Sequence, residues 1–164
     1  MSKIDWKIRP FKPSDAPGFA ALNRRWIEEM FSLEESDARQ LNNPKAAILD
    51  AGGFIAIADA NGWVVGTGAI LPAVHAPSDG RTWMEVIKMG TDPSAQGQGI
   101  ANAILERLLD YAREQNADAV WLETNKKLEA ATALYMKHGF VALRDKDCWD
   151  TPYDRCNLQM TMVL

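Results

Sequence analysis

Two kinds of strand connection are written into this chain, and together they limit what it can fold into. Phe54-Ile55-Ala56-Ile57-Ala58 and Trp63-Val64-Val65 flank the turn Asp59-Ala60-Asn61-Gly62. An Asn-Gly pair between two such runs signals a hairpin, so these strands must be antiparallel neighbours. Further on, strands over 82–91 and 119–124 are separated by a helical stretch whose Ile100, Ile104, Leu108 and Tyr111 form one apolar face. A crossover of that kind joins parallel strands. A sheet that holds both connections is mixed, which excludes a purely alternating, doubly wound fold.

The remaining elements follow from the same periodicities. Lys7–Phe11 reads as a first strand. Ser14-Asp15 then offers a helix start, and Phe19, Leu22, Trp26 and Met30 recur at helical spacing as far as about Phe31. A second short helix covers about Glu34–Gln40 and is closed by Asn42-Asn43-Pro44. The return strand of the hairpin carries Gly66 and Gly68 and ends at Pro72, and His75–Gly80 is loop. Leu128–His138 is a helix stopped by Gly139, and strands over Phe140–Leu143 and Asn157–Val163 finish the chain. The expected fold is therefore α/β (α+β): a mixed, mostly antiparallel central sheet of about seven strands flanked by about four helices. Nothing repeats and no linker divides the sequence, so residues 1–164 are expected to be one domain.

Composition removes several function classes. The 18 Lys and Arg against 22 Asp and Glu give a net charge of -4, which argues against a nucleic-acid binder, since that needs a basic face. No apolar run approaches the roughly 20 residues of a membrane span. The start, Met1-Ser2-Lys3-Ile4-Asp5-Trp6, lacks an apolar signal core, so a cytoplasmic protein is expected. Cys148 and Cys156 fit neither a redox pair nor a zinc pair and read as free thiols. No metal is implied, because neither histidine has a partner at ligand spacing.

The stretch Gln96-Gly97-Gln98-Gly99-Ile100-Ala101 lies between a strand and the long helix. Its glycines let the backbone turn sharply, and the helix start behind them favours a phosphate or pyrophosphate. A Walker loop fails, because Gly99 is followed by Ile100-Ala101 rather than Lys and Ser or Thr. A dinucleotide fingerprint fits Gly97 and Gly99 but meets Asn at 102, although Glu123 does supply an acid on the next strand. A bare turn without a ligand is the third reading.

The same stretch resembles the acetyl-CoA loop of the GNAT N-acetyltransferase superfamily, whose pattern Gln96, Gly99 and Ala101 meet after a strand and a proline turn. A second block, Ala131-Thr132-Ala133-Leu134-Tyr135-Met136-Lys137-His138-Gly139-Phe140, is similar to that family's helix ending in Tyr and Gly-Phe. The resemblance spans the whole element order. It implies acetyl-CoA as acyl donor, held by Gln96, Gly97, Gln98, Gly99, Ile100 and Ala101, with backbone N–H groups near Met89 and Thr91 for the oxyanion. Many members carry an Asn three residues before the position of Ala131. Here that residue is Leu128, and Asn125 either serves instead or caps the helix.

Acetyl transfer to an amine needs a base, an oxyanion site and an acid for the departing thiolate. Glu85 is the candidate base by its place in the strand before the loop, with Glu123 a rival on the neighbouring strand, and a solvated strand glutamate is the bland alternative. Tyr135 matches the family's tyrosine near the sulfur and is the candidate acid. The acceptor, a small-molecule primary amine such as an amino acid, is expected beside the first two helices and the last loops. There Trp26 and Phe31 accompany Glu28, Glu29, Glu34, Glu35 and Asp37, and Tyr153 and Arg155 lie in the tail. Arg155 could grip a carboxylate by its fork or serve as a structural ion-pair partner. Exposed edges and six tryptophans leave a homodimer open. A non-catalytic acyl-CoA-binding module is the alternative to an enzyme, with a nucleotide-binding oxidoreductase behind both.

Overall fold

Alternation along the strands sorts their side chains between two cores. In β2 (Phe54–Ala60), Ile55 and Ile57 face one side while Ala56 and Ala58 face the other. The same division continues through β3 (Trp63–Pro72) and β4 (Trp83–Thr91), where Leu71 and Ile87 oppose Ile70 and Val86. The computed structural model describes residues 3–164 and builds one seven-stranded sheet on this pattern. The strands β1 (Lys7–Pro10), β5 (Ala119–Thr124), β6 (Val141–Ala142) and β7 (Leu158–Val163) complete the order β1-β2-β3-β4-β5-β7-β6. All neighbours are antiparallel except β4 and β5.

Helices α1 (Ala16–Met30) and α2 (Glu35–Asn42) cover the face of Ile55, Ile57 and Ile87, with Phe19 and Ile27 fully buried there. Helix α3 (Ile100–Glu114) covers the opposite face, inserting Ile104, Leu105 and Leu108, and α4 (Glu129–Lys137) adds Tyr135 on that side. The two glycines of β3 seat α3. A Cβ on Gly66 would stand 2.5 Å from Ile100 Cγ2, and one on Gly68 would strike Ile104 and Met89. Element order and sheet class match the sequence expectation. Two local features differ: a five-residue π turn, Lys45–Leu49, follows Pro44 where the sequence suggested only a stop, and β6 shrinks to two residues.

Two irregularities create the site. The strands β4 and β5 pair only over Trp83–Ala119, Met84–Val120 and Glu85–Trp121, and then part. On its other edge, β4 carries one residue more than β3 between the pairs Thr67–Gly90 and Ala69–Ile87. Lys88 absorbs that bulge at φ +54°, a left-handed conformation that lysine adopts only when its surroundings impose it.

Candidate active site

A buried polar chain from α1 imposes the bulge. Thr67 Oγ1 donates to the Lys88 carbonyl at 3.0 Å, and Asn23 Nδ2 donates to Thr67 Oγ1 at 3.1 Å and to the Phe19 carbonyl at 2.9 Å. Trp26 Nε1 closes the chain by donating to Asn23 Oδ1 at 2.9 Å. Asn23 and Thr67 are fully buried, so every bond lost there would strand a polar group away from water. The Trp26 ring is thereby fixed over Gly90, whose hydrogen is all that the space allows, since a Cβ would stand 2.8 Å from Trp26 Cδ1.

Where β4 and β5 part, a cavity of about 910 Å³ opens. One end is formed by Gln96, Gly97, Gly99, Ile100 and Ala101, the other by Trp26, Phe31, Glu85, Glu123, Tyr153 and Arg155, with Tyr135 and Asn125 along the β5–α4 wall. Gly97 and Gly99 stand at φ +77° and +82°, conformations that glycine adopts without strain. Behind them the first N–H groups of α3 have no partner within the helix. A loop of this shape at the start of a 15-residue helix fits a pyrophosphate. Gln98 lies outside the lining, its Oε1 accepting from the Ile4 N–H at 2.8 Å.

Glu85 faces the cavity half-buried, and its carboxyl pKa is pushed up to about 8. Burial is the main cause, the nearby Glu123 adds to it, and the Lys88 charge opposes it. Glu123 is raised as well, chiefly by burial. Its Oε1 accepts from the Thr151 hydroxyl, whereas its Oε2 is buried and takes no hydrogen bond among the described residues. Tyr135 is buried against Phe140, and burial lifts its phenol well above the usual value, so it stays protonated.

A cluster that the sequence reading did not assemble backs this end of the cavity. Asp37 and Lys88 are 0% and 3% exposed, and Lys88 Nζ donates to Asp37 Oδ1 at 2.6 Å. Arg155 brings both terminal nitrogens to the same carboxylate, Nη2 to Oδ1 at 2.8 Å and Nη1 to Oδ2. The Glu34 N–H also donates to Asp37 Oδ2, at 3.0 Å. Burial alone would raise the Asp37 pKa, but the Arg155 hydrogen bonds and the Lys88 charge outweigh it and hold the group down at about 2. The same burial keeps Lys88 below the ordinary lysine range, against the pull of Asp37. Tyr153 is wedged between the two cations, with Arg155 Cζ 4.4 Å and Lys88 Nζ 5.3 Å from its ring centre.

The structure therefore gathers most of the sequence candidates into one cavity, Gln98 excepted, but changes what several of them do. The structural ion pair, one of the two readings open for Arg155, is the one its geometry shows. Asp37, grouped by sequence with the acids of an open entrance, is buried and paired, while Glu28, Glu29 and Glu35 are exposed. Asn125 is not the cap of α4, whose N-cap Leu128 makes no side-chain bond. Its amide instead donates to the Arg155 carbonyl at 2.6 Å and accepts from the Lys127 N–H at 2.9 Å, tying the start of that turn to the tail. Lys88, Asn23 and Thr67 carry no sequence motif. The available sign was a lone Asn and a lone Thr at otherwise apolar positions of a helix and a strand.

The model of the acetyltransferase (GNAT) family matches residues 19–140, which take in the bulge, the glycine loop and the tyrosine helix. The chain belongs to the GNAT acetyltransferase family. Among curated relatives, rat N-acetyltransferase 8F1 is 36% identical over 115 residues, covering 70% of this chain and 50% of that protein. Rat N-acetyltransferase 8 is 33% identical over 96 residues, 58% of this chain and 43% of that one. The chain thus spans about half the length, or less, of these relatives. Among solved structures, a GNAT-family acetyltransferase from Staphylococcus aureus Mu50 superposes with a TM-score of 0.84 at 20% identity, covering 97% of this chain and 99% of that one. A predicted acetyltransferase from Clostridium acetobutylicum, solved with acetyl-CoA, gives 0.71 at 22% identity over 91% and 96%. At these identities the likeness is one of fold.

Proposed function

We propose that this chain is an N-acetyltransferase that moves an acetyl group directly from acetyl-CoA to a primary amine of a small molecule. One observation carries the reading. The wedge between β4 and β5 puts a glycine loop and helix start at one end of a cavity whose other end holds a buried carboxyl and whose wall holds a buried phenol. Acetyl-CoA is the donor substrate, its pyrophosphate on Gln96–Ala101 and the start of α3.

The chemistry follows from the side chains. An alkylammonium must lose a proton before its nitrogen can attack, and a base with a pKa of about 8 is well matched to that task near neutral pH. Glu85 takes that proton. The N–C bond forms as the C–S bond breaks, the oxyanion meets β4 N–H groups beyond the bulge near Met89 and Thr91, and Tyr135 gives its proton to the departing sulfur. The second amine proton returns through solvent to Tyr135. The balance is one ammonium and one thioester converted to one amide, one thiol and one released proton.

Acetyl-CoA at a hundred times its Kd should stabilise the chain by about 2.7 kcal/mol, read as a rise in Tm that NADH and ATP do not give. Thiol release with amine acceptors should then fall on the order of 100-fold in Glu85→Gln and in Tyr135→Phe, with acetyl-CoA affinity nearly kept. No rise in Tm at millimolar acetyl-CoA would remove the reading. Wild-type turnover in both variants would remove these roles.

A further inference from the structure

The acceptor end of the cavity is short of positive charge. Its inner carboxyl groups are Glu34, Asp37, Glu85 and Glu123 and its inner cations are Lys88 and Arg155, while Glu29 and Lys127, the latter with Nζ 6.0 Å from the Phe31 ring centre, are exposed at the rim. Both inner cations are already spent on Asp37, Arg155 through both terminal nitrogens with Glu34 beside it at 3.5 Å. What remains inside the wedge for a ligand is Glu85, in the last β4–β5 pair, and Glu123, two residues past that pair on β5. Glu85 is faced by Glu123 and Lys88. Glu123 is faced by Arg155, the Thr151 hydroxyl, the Cys156 thiol and, from the loop after β3, His75. The Glu123 Oε2 is buried and takes no hydrogen bond among the described residues. A buried carboxylate oxygen without a partner is costly, and a cationic donor is what satisfies it. The rest of this end is aromatic or apolar: Trp26, Met30 and Phe31 line it with the Tyr153 ring.

We propose that the acceptor is a cationic amine with an apolar body and no carboxylate beside its nitrogen, its ammonium received between Glu123 and Glu85. The inference rests on the acetyl-transfer reading above and narrows its substrate class. An α-amino acid would bring its carboxylate within two bonds of the nitrogen, against Glu85 and Glu123, and would find the Arg155 fork already closed on Asp37. Like charges juxtaposed in a desolvated site repel one another, which disfavours such a ligand. An aromatic or branched amine places the same nitrogen there and lays its body on Trp26 and Phe31. Glu123 is then the specificity-determining residue, and Glu85 takes the proton.

The test uses matched pairs that differ only by the carboxylate: 2-phenylethylamine with phenylalanine, and 3-methylbutylamine with leucine. Phenylalanine amide, which keeps the branch but not the charge, is the control. Thiol release from acetyl-CoA should show kcat/KM for each amine, and for the amide, at least about 100-fold above the parent amino acid. Glu123→Gln should raise KM for 2-phenylethylamine by on the order of tenfold, more than it lowers kcat, and narrow the gap within each pair. Amino acids used as well as their amines would overturn the inference, the more so if Arg155→Ala alone abolished that use. If acetyl-CoA raises Tm but neither amine nor the amide is acetylated, the inference falls and the transfer reading stands. If acetyl-CoA does not bind, the transfer reading falls and takes this one with it.

Discussion

Glu85 and Asp37 are both acids in or beside one cavity, yet their surroundings drive them in opposite directions. Glu85 is pushed up to about 8 by burial, with Glu123 adding to it, whereas for Asp37 the same burial is outweighed by Arg155 and Lys88 and the group is held at about 2. For Glu85 the carboxylate is the working form, so kcat/KM with an amine acceptor should climb as pH rises through about 8. Glu85→Gln should flatten that limb and leave a low rate throughout. The same raised value costs stability: relative to an unfolded carboxyl, stability is fully present below about 4.5 and is lost as pH rises through 8. Glu85→Gln should therefore melt a few degrees above wild type at pH 9 and lose that advantage below pH 4, by calorimetry. Asp37 has the opposite sign. Its contribution is present above 3.8 and is lost as pH falls through about 2. Asp37→Asn leaves Lys88 and Arg155 buried without their counter-charge and should cost about 3–5 kcal/mol at pH 7 by urea unfolding, with the gap to wild type closing toward pH 2. Equal unfolding midpoints at pH 7 would show that the cluster does not stabilise the fold.

At the scale of elements, what could be read from the sequence was what is local. The hairpin follows from Asn61-Gly62, the glycine loop from four adjacent residues, and α3 from its own periodicity. The Asp37–Arg155 pair joins residues 118 apart: Asp37 alone reads as a solvated surface charge, and Arg155 alone does not show which acid it would pair with. The bulge at Lys88 was hidden for a related reason: its cause lies on α1 and β3, and lysine gives no hint of a positive φ. Gly66 and Gly68 were visible as strand residues, but their use as the seat of α3 needed the helix in place. That seat makes a prediction. Gly66→Ala presses on Ile100, the first residue of α3, and should lose about 1–3 kcal/mol and also weaken acetyl-CoA binding, because the loop moves with the helix start. Gly68→Ala presses on Ile104, deeper in the helix, and on the flexible Met89, so it should cost stability with little change in acetyl-CoA affinity. Isothermal titration of both variants separates the two effects, and equal affinity losses would mean that the loop does not follow Ile100.

Taken as one molecule, the sheet is two smaller sheets held edge to edge. The strands β1–β4 form one and β5, β7 and β6 the other, and only three residue pairs join them in the ladder before β4 and β5 part. Below the wedge, Trp83, Trp121 and Trp149 reinforce the join: Trp149 stacks on Trp121 at 4.6 Å and meets Trp83 edge-on at 4.9 Å. Above it, the tail carries Arg155 to Asp37, closing the wedge from the acceptor side. A donor seated between the strands would therefore touch both halves, with its pyrophosphate on the α3 side and its thioester beside Tyr135 of the other half. Any opening that separates the halves destroys that seat, so bound ligand must suppress it by the factor 1 + [L]/Kd. Hydrogen exchange at a hundred times Kd should slow by on the order of 100-fold in the loop 96–101, in β4 beyond Lys88 and in α4 together. Fraying at the β1 edge leaves the seat intact and should exchange at its ligand-free rate. Protection confined to 96–101 would mean that the halves do not open as units. Uniform protection would mean that the seat is lost only when the whole chain unfolds, and the wedge would then be a fixed slot.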